Sequence, residues 1–133
     1  MKMFYSCVDA SIPSPFSEQH IVINKKASME NGAIVAYAAE EIRAINKQPW
    51  IFNKLKTTPG LHGVIFFTAI QFLYGDNFNY KLFNKILNAG YEIHFARENM
   101  SFTKKNKNFE NLNFLTLYSL VVHRNENELL KLI

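Results

Sequence analysis

The chain has 133 residues, 48% of them hydrophobic and 20% charged, with a formal net charge of +4 and one cysteine. A single domain of this size, spanning residues 1–133, buries a real core. Its longest apolar run falls far short of the roughly 20 residues that span a bilayer, and one cysteine excludes an internal disulfide or a multi-cysteine metal site. The positive charge is almost all lysine; its one dense cluster, Lys104, Lys105 and Lys107, reads as a solvated loop rather than a phosphate tract.

The N-terminus MKMFYSCVDAS has too short an apolar stretch for a signal peptide, which points to the cytoplasm. Met3 to Val8 reads as a first strand. Asp9 to Ser17, DASIPSPFS, has the prolines and small polar residues of a loop. Ser17 is placed to cap a helix running to about Glu30, with Gly32 ending it and Ile21, Val22 and the stem of Lys25 on one face. Ala33 to Ala38 is a second strand, short and apolar. Glu40 to Lys47 is weakly helical. Pro49 opens the helical PWIFNKLK, with Trp50, Ile51 and Leu55 inward, and Pro59-Gly60 is a turn.

Leu61 to Glu98 holds the clearest pattern. Val64 to Thr68 is the continuous apolar run of a strand covered on both faces. Tyr80 to Ala89 carries Leu82, Phe83, Ile86 and Leu87 at helical spacing, and Gly90 stands where a C-terminal glycine belongs. Tyr91 to Ala96 is a further strand. Two strands joined through a helix are parallel, with a right-handed crossover. Ser101 to Asn108 reads as a polar loop, Phe109 to Val122 as an apolar segment of mixed periodicity, either a helix throughout or a helix ending in a strand, and Asn125 as the cap of a short final helix. The fold class is therefore α/β: a small, open, mainly parallel sheet of four or five strands with helices on both faces.

Such a sheet delivers its strand-end loops to one edge, where ligands bind. Asp9, Ser11, Ser14 and Gln19 follow the first strand. Tyr37, Glu40 and Glu41 follow the second, Thr68, Gln71 and Asp76 the third, and Arg97 and Glu98 the fourth. The serines and helix start after the first strand suit an anion such as a sugar phosphate, or are simply turn and cap residues. Glu40 has two readings, an ion pair with Arg43 or Lys47 and a general base. His20, His62, His94 and His123 show no metal-ligand spacing, and no metal or cofactor is expected. His94 reads as a satisfied sheet histidine and Cys7 as a small buried hydrophobe. Phe72, Tyr74 and Phe78 flank a loop and are candidates for an interface patch.

Two resemblances meet in this chain. The order of elements and the phrase LNAGYEIHFARENM resemble the catalytic domain of serine recombinases. That family's opening strand, Y-x-R-V-S, corresponds to Tyr5-Ser6-Cys7-Val8-Asp9, so Cys7 stands at the arginine and Asp9 at the nucleophile position. Its paired arginines would fall near Phe72 and Gly75. The resemblance implies a resolvase-like or flavodoxin-like fold without recombination chemistry. Pro15-x3-Gln19-His20-Ile21-Val22-Ile23, Ala38-Ala39-Glu40, GVIFFTAIQFL and the run Ala89 to Glu98 are more closely similar to the sporadic carbohydrate cluster proteins of bacterial surface-carbohydrate gene clusters, over about Met3 to Phe102. This second resemblance implies a role in surface-glycan assembly.

The expectation is a site at the strand C-termini, between the loops after the first and third strands. Glu40 would be the acid/base and Glu98 a binder or second base. Ser6, Gln19 and Gln71 would bind a sugar phosphate or nucleotide sugar. The alternative is a non-catalytic partner or scaffold of the same pathway. The apolar excess of Phe109 to Val122 predicts a homodimer, and neither DNA nor a membrane is an expected partner.

Overall fold

The computed structural model describes residues 1–40, 50–74 and 77–106, together with Asn111, Asn113, Phe114 and Leu117; the side chain of Tyr74 lies outside this set. In chain order the elements are β1 (Lys2–Val8), α1 (Phe16–Met29), β2 (Gly32–Ala39), α2 (Ile51–Thr57), β3 (Gly63–Phe66), a 3-10 turn (Ala69–Phe72), the two-residue strands β4 (Leu73–Tyr74) and β5 (Asn77–Phe78), α3 (Tyr80–Asn88), β6 (Glu92–Phe95) and β7 (Met100–Phe102). The expectations for Glu41 to Pro49, Asp76 and almost all of residues 107–133 lie outside the described residues.

The main sheet has the order β2-β1-β3-β6-β7. β1 pairs in parallel with both β2 and β3, and β3 pairs in parallel with β6. β7 is antiparallel to β6 and forms a hairpin where the sequence reads as a polar loop. The chain thus steps from β1 outward to β2, then back across β1 to β3 and on to β6. Right-handed crossovers in opposite directions put their helices on opposite faces. One core cluster joins α1 to Phe4, Val8, Ile65 and Phe67. The other joins α2 and α3 to Tyr5, Cys7, Val64, Phe66 and Phe95.

α3 follows its sequence pattern closely. Leu82, Phe83, Ile86 and Leu87 are buried, Asn79 caps Leu82 N through its side chain, and Gly90 takes a φ of +96° beyond the C-terminus. α1 differs from its expected form. Pro15 occupies the N-cap position and Ser17 makes no cap. The buried stripe is Gln19, Ile23, Lys26 and Ala27, while Ile21 is 69% exposed. Asn31, with φ of +57°, makes the left-handed turn expected of Gly32, which instead opens β2. Trp50 precedes α2 and is 60% exposed, whereas Ile51, Phe52 and Leu55 face inward.

The core below α3 is aromatic. Phe72 stacks on Phe78 at 5.3 Å and meets Phe66 and Phe95 edge-on, and Phe83 meets Phe102 edge-on at 5.1 Å. Phe72 and Phe78 are therefore core residues, not a surface patch: the 3-10 turn and β4 carry them back under the sheet. Gly63 permits the closest backbone approach, since a Cβ there would overlap the backbone of Glu92 on β6.

Phe83→Ala is expected to destabilise by about 3–5 kcal/mol, as large-to-small changes in a packed core do. Gly63→Ala should cost about 1–3 kcal/mol through overpacking against a backbone that cannot yield. Urea midpoints at unchanged m-value would check both.

Candidate functional site

A parallel sheet ends its strands with amide groups that no neighbouring strand accepts. In this chain, polar side chains satisfy them. Gln19, fully buried on α1, accepts from Asp9 N at 3.0 Å and donates to Asp9 O at 3.0 Å and Ser14 O at 2.9 Å. Gln71 accepts from Thr68 N at 3.0 Å, closing a capping box on the 3-10 turn, and donates to Cys7 O at 3.1 Å. Glu98 accepts from Ala69 N at 3.0 Å and from Thr68 Oγ1 at 2.6 Å. Glu40 accepts from the backbone amides of Trp50 and Ile51, so its carboxylate caps the start of α2.

Gln19, Gln71 and Glu40 thus converge on the C-terminal end of β1, and Glu98 joins them through Thr68. Ser6 lies apart from the others, deeper on β1, fully buried between Tyr37 and Ile65 of the flanking strands. Each of the four rim side chains is engaged by backbone. Ser6 Oγ on β1 and Asp9 Oδ2 just beyond it differ: both are buried, and neither has a hydrogen-bond partner among the described residues. Asp9 is fully buried at the point where strand order reverses. Its other oxygen accepts from Ser11 N and Ser11 Oγ at 2.8 and 2.5 Å. The sequence puts Asp9 and Thr68 at strand ends but gives neither a role.

The electrostatics around β1 follow from burial. Burial pushes the Glu40 carboxyl up; the two amides and the Lys54 charge pull it down, and the net shift is upward, with Asp9 adding to it. Burial, with Glu40 and Asp9 beside it, raises the Cys7 thiol well above its ordinary value, which leaves it an inert, protonated group. Among the described residues no three His, Cys, Asp or Glu side chains are placed to hold a metal ion. No described helix is long and apolar enough to cross a membrane.

A second polar constellation lies on the α1 face, across β6 and β7. Lys2 donates to Glu92 at 2.9 Å. Glu92 Oε1 lies 2.9 Å from His94 Nε2, and His94 Nδ1 lies 2.8 Å from Ser101 Oγ. Ser101 donates to Glu30 at 3.0 Å, and Lys26 donates to both Glu30 at 2.8 Å and Asn99 at 2.7 Å. His94 is thus a buried sheet histidine with both nitrogens engaged, as its core neighbours imply. Beside this chain a cavity of about 330 Å³ opens between α1 and the turn after β6, lined by Val22, Lys25, Lys26, Met29, Ala96, Arg97 and Asn99. A smaller one of about 180 Å³ lies on the other flank of α1, where Phe16, His20 and Tyr37 meet Val8, Ala38 and Ala39. Neither cavity is lined by Gln19, Glu40, Gln71 or Glu98. The sequence carried no signal for the larger cavity: the buried stripe of α1 that holds Lys26 differs from the face its periodicity suggests, and only docking on the sheet buries a lysine there.

Comparison with family models, curated proteins and solved structures found no match to the chain.

Acid sensitivity follows from the network. Burial lowers His94 against the opposing pull of Glu92 and Glu30. Burial raises Glu30 and Glu92, but hydrogen bonds from Lys26 and Ser101 to the first, and from Lys2 and His94 to the second, leave both below the ordinary carboxylate value. A folded pKa below the unfolded one means the unfolded chain binds protons first, so stability falls as pH falls. The loss should begin below about 6.5 through His94 and steepen below about 4.3 through the two carboxylates. Urea unfolding from pH 8 to 4 checks the profile, and His94→Gln should flatten its upper limb.

Proposed function

We propose that this chain acts in bacterial surface-carbohydrate assembly and binds a sugar phosphate or nucleotide sugar at the C-terminal edge of its sheet, between the loop after β1 and the 3-10 turn after β3. The observation that carries the reading is Asp9. At the switch point of an open α/β sheet, where ligands gather, Gln19, Gln71, Thr68 and Glu98 tie the loops into a rigid frame, and Asp9 keeps a buried carboxylate oxygen that has no partner among the described residues. A buried acceptor left unpaired is costly, and a sugar hydroxyl is a donor suited to it. In this reading Asp9 is the hydroxyl acceptor and Glu40, with its raised carboxyl, the acid/base. Gln19, Gln71 and Glu98 position the loops, and Ser6 lies beneath them on β1. The likeness to sporadic carbohydrate cluster proteins supports the pathway, and the setting is the cytoplasm.

The test is a thermal-shift screen of sugar phosphates and nucleotide sugars. Ligand at about 100 times its dissociation constant should stabilise by about 2.7 kcal/mol. Asp9→Asn should weaken binding at least about tenfold. With a substrate in hand, Glu40→Gln should slow turnover by about 100-fold or more. No shift with any such compound, or a shift that survives Asp9→Asn, would overturn the reading.

The second reading, a non-catalytic partner of the same pathway, is favoured by exposed apolar side chains. Val35 and Tyr37 are exposed on β2, at the edge of the sheet, and Ile21 on α1. The homodimer belongs to this reading. Phe114 and Leu117, within the apolar segment expected to pair, are 44% and 63% exposed. A dimeric mass by light scattering at micromolar concentration is the expected result, and a monomer would count against it.

A further inference from the structure

We propose that the cavity between α1 and the turn after β6 is an oxyanion site whose ligand is the phosphate of a small phosphate ester.

The inference starts from Lys26. A lysine ammonium is almost never fully buried unless it is paired, and Lys26 is only 4% exposed. Glu30 Oε1 at 2.8 Å and Asn99 Oδ1 at 2.7 Å accept two of its three protons. Among the described residues the third proton has no acceptor, and Lys26 lines the cavity wall. A partly desolvated ammonium with an unused donor calls for an acceptor, and an anion is the strongest one.

The rest of the lining agrees. Lys25 and Arg97 bring two more cations, one from each side of the opening. The Arg97 guanidinium lies 5.8 Å over the Phe67 ring, and its Nε is 3.6 Å from Glu98. Two opposing charges adjoin the lining cations, Glu30 beside Lys26 and Glu98 beside Arg97; neither lines the cavity, and each is engaged elsewhere, Glu30 by Lys26 and Ser101 and Glu98 by Thr68 and Ala69 N.

Size argues for an ester rather than a bare ion. At about 330 Å³ the space is larger than one oxyanion fills, and it stands at the small end of ligand cavities. Val22, Met29 and Ala96 give the remainder an apolar wall. The site stands on this cavity alone and does not require the carbohydrate reading; the two meet only at Arg97, whose neighbour Glu98 belongs to the strand-end frame.

The test is a titration of the isotope-labelled chain followed by amide chemical shifts, with inorganic phosphate, glucose 1-phosphate and glucose as probes. Expected are shifts confined to residues 22–30 and 96–99, tighter binding of glucose 1-phosphate than of inorganic phosphate, and no response to glucose. Lys26→Met should weaken binding at least about tenfold, the loss of one charge-assisted hydrogen bond. Lys25→Glu, a change at an exposed position, should weaken it as well, and decides the matter alone where Lys26→Met fails to fold. Wild-type affinity in Lys25→Glu, or shifts elsewhere on the molecule, would overturn the site. Equal affinity for inorganic phosphate and the ester would overturn the ester as ligand. Loss of sugar binding at Asp9 with phosphate binding intact would leave this site standing while the carbohydrate reading fell.

Discussion

Everything in this fold depends on β1 being paired in parallel on both sides. A strand in that position is shielded from water by its neighbours and by helices on both faces, so it reads as Phe4-Tyr5-Ser6-Cys7-Val8 with every one of those residues buried. Because the chain leaves β1 in one direction and returns across it in the other, right-handed crossovers must put α1 on one face and α2 and α3 on the opposite one. The same reversal parts the loops after β1 and β3. It opens the rim and leaves strand-end amides in need of acceptors.

That need explains why polar residues stand at the ends of apolar strands. Gln19, Gln71, Glu98 and Glu40 each accept from backbone at the rim, and the first two also donate to β1 carbonyls or its loop. A hydrogen bond of this kind contributes only about 1 kcal/mol net, yet leaving its buried partner unmade costs more. The side chains are therefore fixed by the fold before any ligand is considered, and pre-organisation of this sort is what a binding site requires. What the frame leaves over is small: the free oxygen of Asp9 and the raised carboxyl of Glu40.

On the α1 face the governing term is charge. The hydrogen-bonded chain from Lys2 to Asn99 crosses β1, β6, β7 and α1, and it buries His94 and Lys26 among paired carboxylates. Desolvating such groups costs about as much as their pairing returns, so the network adds little net stability. Its effect is on register, since α1 packs on β1, β2 and β3 in a position that also satisfies Lys26, Glu30 and Ser101 together. The cation-lined cavity is a consequence of that docking.

Local patterns survived folding because they are local. The α3 stripe Leu82, Phe83, Ile86 and Leu87, the glycine after it, and the parallel strands on either side are set by periodicity and backbone chirality within one strand–helix–strand unit, so the sequence by itself determined the α/β class. The polar composition of the rim was legible for the same reason, as strand-end residues, although what they do there was not. Strand order, the β7 hairpin, the inward turn of Phe72 and Phe78, the exposure of Ile21 and the burial of Lys26 were decided only by tertiary structure. Each depends on which distant groups come within hydrogen-bonding or packing distance: Cys7 O for Gln71, Thr68 for Glu98, Asn99 for Lys26. A side chain's type announces that it needs a partner, but the partner's identity is a property of chain segments brought together across sequence separations that no local pattern spans.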